Sequence, residues 1–316
     1  MVDGKKSWKA WLYLSPVLLL TLVFTVWPII NTVRIAFLDD YTLMDDVGGM
    51  TFNVGVQNFV KVITYPGFVT CLKNTILLTV ITVPISTFLA LLIAVCLNSI
   101  KALNRLLQTI YFLPYVTNTI AIGLVFSTMF SMVGTGFGSN DPIVSTVGII
   151  NNIIEFFGGK AINWVNAGSS YWSNIFVMSV YIVWNALPFK ILILLGGLQS
   201  VNKQYYDAAK VDGTSRARVF WRITVPMLSP MLAYVVITGF IGGFKEYSSI
   251  VGVFGENMGP VGGEGSLNTM VGYINTNLMS GSPREGRASA GAIILFAIIF
   301  AVTMLNLYVS KKRVHY

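Results

Sequence analysis

Long apolar runs separated by short polar stretches set the organisation of this chain. They cover about 11–37, 70–97, 106–132, 172–198, 227–254 and 288–309. Each is long enough to cross a hydrocarbon core of about 30 Å as a helix. The pattern predicts an all-α polytopic membrane protein with six transmembrane helices, forming a single domain over 11–309 between short tails at 1–10 and 310–316. The first run is too long for the apolar core of a signal peptide and lacks a small-residue cleavage pattern, so it reads as a span. Pro84 is expected to kink the second run, and Pro114 and Gly123 to interrupt the third.

The connections carry their own signals. An acidic stretch with Asp39, Asp40, Asp45 and Asp46 follows the first run and is broken by Gly48-Gly49. In the longest connection, 133–171, Asn140 or Asp141 with Pro142 marks a helix start, and Ile143, Val147, Ile150, Ile154 and Phe157 recur at helical spacing before Gly158-Gly159. This reads as a short amphipathic helix on the outer surface, which either plugs the bundle or docks a substrate-binding protein. A glycine-rich loop from Gly255 to Gly265 precedes the last run.

Composition agrees with a lipid-embedded bundle: 54% of the 316 residues are hydrophobic and 11% are charged. The net charge of +8 does not indicate nucleic acid, because the bases sit at the ends of apolar runs and form no patch with interleaved aromatics. Thirteen Lys and Arg fall in the tails, in the linker holding Lys101 and Arg105, and in the 203–226 loop; only Lys61, Lys160, Arg284 and Arg287 fall in the other connections. By the positive-inside rule both termini and the 203–226 loop are expected in the cytoplasm. Cys71 and Cys96, at the two ends of one helix, lie about 37 Å apart by helix rise and cannot pair. The one histidine, His315, is terminal.

Polar groups inside the runs are the first candidates for a site, since lipid offers them no partner. Ile182, Asn185 and Phe189 share a face of the fourth run beside Trp184 and Pro188, and Gly239, Gly242, Gly243 and Glu246 share a face of the fifth. Aromatic faces with a few hydrogen-bonding groups suit a sugar, which has apolar C–H faces and a rim of hydroxyls. For the glycines, close helix packing is an equal alternative. No phosphate-cradling G-x-x-x-x-G-K-[ST] stretch, no H-E-x-x-H and no Cys/His cluster occurs, so neither a catalytic nor a metal site is expected, and any driving energy must come from another polypeptide.

The 203–226 loop is a polar, basic interruption of about twenty residues that cannot itself be a span. Ala208 and Ala209 favour helix, Gly213 suits a left-handed C-terminal cap, Thr214 or Ser215 can start a second helix, and Pro226 can open the next run. The stretch resembles the EAA loop of ABC importer permeases: Asp207-Ala208-Ala209, Gly213, Ile223 and Pro226 fall at the spacings of that pattern, with Asp207 in place of Glu and Val225 in place of Leu. Leu14-Ser15-Pro16 through Trp27-Pro28 to Tyr41 is similar to the opening of sugar-importer permeases. Trp184 to Phe189 is similar to the W-x-x-x-P segment of the maltose-type members, and Phe244-Lys245-Glu246-Tyr247 lies where they have an F-N-x-F-like segment.

The resemblance implies a type I ABC importer permease fold in a bacterial cytoplasmic membrane. It implies coupling to an ATPase through Tyr206, Asp207, Ala208, Ala209, Asp212, Gly213, Arg216 and Pro226, and substrate contacts at Asn185, Ala186, Phe189, Gly243 and Glu246. The implied partners are a second homologous permease, two ATP-binding subunits that hold ATP and Mg, an extracytoplasmic solute-binding protein and membrane lipid. No cofactor is expected in the chain itself. The expected cargo is a carbohydrate, in particular an oligosaccharide, moved by alternating access, with a glycerol phosphate or another polar solute as second reading. An ion-driven secondary transporter would need inverted repeats and intramembrane carboxylates, of which the sequence has only Glu246; a membrane enzyme would need a paired catalytic constellation, which is lacking.

Overall fold

The structure, a computed structural model, describes residues 7–100, 104–134 and 145–313. Lys5, Lys6, Lys101, His315 and the helix start expected at Asn140 to Pro142 lie outside them. Among the described residues the regular structure is helical apart from a short antiparallel ribbon pairing Met132–Gly134 with Ser145–Val147 and an isolated bridge between Leu38 and Val54. Four helices among the described residues are long and apolar enough to cross a membrane: Trp11–Ala36, Phe68–Ser99, Tyr171–Ser200 and Glu285–Lys311. Two bent pairs, Thr109–Val116 with Thr119–Phe130 and Arg216–Met227 with Ser229–Phe244, bring the number to six if each pair is one span.

The chain divides into two compact units, one of the described residues up to Phe68 with Tyr273–Phe296, the other of Val69–Gly272 with the described residues from Ala297 on. In the first unit, Asp40 adopts a left-handed backbone (φ 52°) between the first span and the following loop. Its carboxylate takes an ion pair from Lys61 and lies 3.7 Å from Arg287 Nη2. The hydrogen bond from Lys61, then the charges of Lys61 and Arg287, hold the Asp40 carboxyl below its ordinary value of 3.8. A depressed carboxyl stabilises the fold above its unfolded pKa, and that contribution disappears as the pH falls through the folded value. The group is more than half exposed, so Asp40→Asn is expected to cost less than about 1 kcal/mol at neutral pH. The difference in melting temperature between variant and parent should close below pH 3.8; a difference that persists there would rule out the ion pair as its source.

The second unit carries two apolar cores. One gathers Leu78, Val177, Met178, Tyr181, Ile250 and Leu267; the other gathers Ala90, Ala94, Leu194, Leu228 and Val235. The second span runs as one helix through Pro84. The third breaks neither at Pro114 nor at Gly123, as the sequence pattern suggests, but at Thr117-Asn118, with a bend of 104°. The cause is Asn118: its Oδ1 accepts the Ile120 and Ala121 N–H groups at 2.9 and 3.3 Å, starting a new helix in a new direction. Gly123 serves a different purpose. A Cβ there would lie 2.5 Å from Gly252 Cα, so Thr119–Phe130 and Ser248–Phe254 cross backbone on backbone.

Gly123→Val is therefore expected to force the two half-helices apart, costing about 1–3 kcal/mol or more because the obstructing atoms are main chain. Gly196→Ala, where a Cβ meets nothing within 4 Å, serves as the neutral control. Thermal inactivation of the detergent-solubilised chain should shift by several degrees for the first and not for the second. Equal midpoints would refute the close crossing.

The fifth run also departs from the expected single helix. It stops at Phe244, and a short helix begins at Ser248. Lys245 and Glu246 tighten onto Gly242 and Gly243 carbonyls, and the Glu246 carbonyl accepts the Thr269 hydroxyl at 2.8 Å instead of an N–H of its own helix. The loop that supplies Thr269 is anchored in turn by buried Asn74, whose Nδ2 donates to Ser266 and Asn268 carbonyls at 2.9 Å each while its Oδ1 accepts from Tyr171.

Candidate functional site

The fourth span presents Ile182, Asn185, Ala186, Phe189 and Lys190 as one stripe, the i, i+3, i+4, i+7, i+8 spacing of a single helix face. These five, with Thr82, Val83 and Ser86 of the second span, Tyr115, and Thr238, Gly239, Gly242, Gly243 and Glu246 of the fifth, line one cavity of about 300 Å³. All five residues that the resemblance nominates for substrate contact, Asn185, Ala186, Phe189, Gly243 and Glu246, are brought together in it. Gly239, which the pattern placed on the same helix face, lines it as well.

The glycines divide between packing and lining. A Cβ on Gly239 would meet Val83 Cγ1 at 3.1 Å and Lys190 Nζ at 3.3 Å, and one on Gly243 would meet Thr79 Cγ2 at 2.8 Å, so these two let the second and fourth spans close in. A Cβ on Gly242 would meet nothing within 4 Å, and this residue opens onto the cavity. The break after Phe244 turns Glu246 off the expected helix face and makes it a cap, its Oε1 accepting the Ser249 N–H at 3.2 Å. Tyr115 and Phe189 stack at 5.8 Å between centroids with 16° between planes, giving the cavity an aromatic wall.

Six lining residues escape the reading of the sequence: Thr82, Val83, Ser86 and Thr238, which are small or apolar members of their runs, and Lys190 and Tyr115. Lys190 is 5% exposed and donates to Ser86 Oγ at 2.6 Å, Thr87 Oγ1 at 3.0 Å and the Val83 carbonyl at 3.3 Å. All three of its N–H groups are thereby spent on the second span. It was legible as a lysine inside an apolar run, one residue beyond Phe189 on the same stripe. Tyr115 had no such signal, because it reaches the wall only through the bend at Asn118.

The polar loop forms a second surface. Lys203–Val211 is a helix started by Asn202, whose Oδ1 accepts the Gln204 N–H at 3.0 Å. It ends in a Schellman turn: Thr214 N–H bonds the Ala209 carbonyl at 3.0 Å, Gly213 N–H bonds the Lys210 carbonyl at 3.1 Å, and Gly213 has φ 64°. Ala209 is buried, and the Tyr206 hydroxyl lies 3.4 Å from Thr224 Oγ1, so these two fasten the helix to its own bundle. Tyr205, Asp207, Ala208, Val211, Asp212 and Arg216 face outward. The adjacent alanines thus have opposite orientations, one packed and one presented. Ser215 occupies the N-cap of Arg216–Val219 without a side-chain bond to it. Pro226 sits in the first turn of Val225–Met227, at the start of the fifth span. Among the described residues no group of three or more His, Cys, Asp and Glu is placed to hold a metal ion.

The family described as binding-protein-dependent transport system inner membrane component matches residues 74–315. The arabinooligosaccharides transport system permease protein of Halalkalibacterium halodurans is 31% identical over 300 residues, covering 94% of this chain and 86% of that one. The lactose transport system permease protein of Rhizobium radiobacter is 27% identical over 306 residues, covering 96% and 94%. Among solved structures, a bacterial ABC transporter involved in the import of the acidic polysaccharide alginate superposes with a TM-score of 0.75 at 20% identity, covering 98% of this chain and 97% of that chain.

Proposed function

The chain belongs to the family of inner membrane components of binding-protein-dependent transport systems, and we propose that it forms one half of the passage through which an ABC importer moves a carbohydrate, in particular an oligosaccharide. It is a multi-pass membrane protein and a transport subunit. The observation that carries the carbohydrate reading is the cavity: a stacked Tyr115–Phe189 wall for the apolar face of a sugar, flanked by the Asn185 amide and the Glu246 carboxylate for its hydroxyls. Relatives named for arabinooligosaccharides and lactose support it. A phosphorylated solute is the weaker reading, because Lys190, the one cation among the described residues lining the cavity, has every N–H engaged by the second span.

In this proposal a second, homologous permease completes the passage, and an extracytoplasmic solute-binding protein delivers the sugar. Two ATP-binding subunits, which hold ATP and Mg, grip the exposed face of Lys203–Val211 on each permease. Their closure on ATP draws the two gripped helices together. Each helix is fastened to its own bundle by Ala209 and Tyr206, so the motion passes to the spans and the cavity changes the side on which it opens. Both termini and the gripped loop then lie in the cytoplasm, an orientation that the distribution of Lys and Arg supports. The test is a panel of neutral oligosaccharides, uronate oligosaccharides and glycerol phosphates, offered with the binding protein to the reconstituted complex. Stimulation of ATPase by neutral oligosaccharides is expected. Stimulation by a glycerol phosphate alone would overturn the carbohydrate assignment.

A further inference from the structure

We propose that the short helix Ile149–Phe156 is an in-plane membrane anchor, its apolar stripe seated in lipid at the membrane face opposite the 203–226 loop. The helix is turned the unexpected way round. Asn151 is fully buried, donating to the Ile162 carbonyl at 3.0 Å and accepting from Ile162 N–H at 3.1 Å and Trp164 Nε1 at 3.0 Å. These three bonds fix the rotation of the helix. Ile150 and Ile154 turn partly inward, Ile150 onto the first apolar core, while Ile149, Ile153, Phe156 and the following Phe157 are left 58%, 50%, 84% and 80% exposed. Four such side chains on one outward face do not suit water.

Depth identifies what covers them. The Gly148 N–H bonds the Ser131 carbonyl at 2.8 Å, and a Cβ on Gly148 would lie 2.4 Å from the Met129 carbonyl oxygen. The helix therefore starts directly on the last carbonyls of the third span, and its eight residues extend at most about 12 Å from there. Trp164, which holds Asn151, packs edge-on against Phe130 at 5.9 Å and stacks on Phe176 at 5.5 Å. Phe176 is half exposed on the fourth span, one turn from exposed Trp172, so the stripe continues a lipid-facing surface at the level where aromatic side chains mark the membrane boundary. An amphipathic helix with its apolar face about 5–10 Å into that boundary is a stable arrangement. The fourth span is the only crossing between this helix and the 203–226 loop, which puts the anchor at the far side. There it holds the end of the bent third span at constant depth while the loop moves.

The test places a spin label at single sites in the assembled transporter, in proteoliposomes of phosphatidylethanolamine and phosphatidylglycerol. Ile149→Cys, Ile153→Cys and Phe156→Cys report the stripe, and Asn152→Cys and Glu155→Cys the exposed polar edge beside it, each with Cys71→Ala and Cys96→Ser. Collision with dissolved oxygen should exceed collision with a water-soluble nickel chelate several-fold at the stripe, and the ratio should invert at Asn152 and Glu155, with or without the solute-binding protein. Nickel-dominated collision at all five sites would place the stripe in water. Shielding of the stripe from both reagents, either at all times or only once the binding protein is added, would assign it to a protein partner. Either result overturns the proposal.

Discussion

Gly213→Val is expected to reduce uptake by at least tenfold while leaving the amount of permease in the membrane unchanged. The Schellman turn that ends Lys203–Val211 requires φ 64° at position 213. An L residue in that conformation costs about 1–2 kcal/mol, and a β-branched one more. A Cβ there would meet nothing within 4 Å, so the cost is one of backbone conformation and not of collision. A change of one or two kcal/mol shifts a two-state population by about 5–30-fold. It falls on the segment that presents Tyr205, Asp207, Ala208 and Val211 to the ATPase, and hardly at all on the spans. Gly213→Asn separates this account from a generic loss: asparagine tolerates the left-handed region, so it should recover most of the transport. Uptake in proteoliposomes and co-purification of the ATPase are the two measurements. Wild-type uptake by Gly213→Val, or equal losses in the valine and asparagine variants, would remove the turn from the coupling path.

How much of this was legible in the chain depends on whether a feature rests on spacing or on a remote partner. Gly213 could be named from its place in the loop pattern and Asn185, Ala186, Phe189, Gly243 and Glu246 from the resemblance, while helical periodicity puts Asn185 with Phe189 and Gly239 with Gly243. Lys190 was equally legible from its position on the same stripe. The two breaks were not. The third span bends at Asn118 because a side chain caps a new helix there, overriding Pro114, which the helix accommodates. The fifth breaks after Phe244 because Thr269, more than twenty residues later, takes the Glu246 carbonyl out of the helix, and no local pattern announces that bond. The helix expected to include Val147 starts only at Ile149, because Ser145–Val147 pairs with Met132–Gly134 instead. Which face turns inward is decided by Trp164 and Ile162 meeting Asn151.

The break at Glu246 makes a double prediction possible, because the residue does two things that one substitution separates. Its Oε1 caps Ser249 N–H, and its carboxylate lines the cavity. Glu246→Gln keeps an oxygen for the cap and removes the charge; Glu246→Ala removes both. A hydrogen bond to a charged group contributes about 1.5–3 kcal/mol, so the glutamine variant should raise the sugar concentration for half-maximal ATPase stimulation by roughly tenfold or more while its melting temperature stays at the parent value. The alanine variant should show that loss together with a lower melting temperature, since Ser248–Phe254 loses its cap and with it some of its hold on Gly123. If the glutamine variant matches the parent in both stimulation and melting while the alanine variant melts early, Glu246 acts only as the cap. The hydroxyls of the sugar would then be met by Asn185 and by whatever the second permease brings to the cavity.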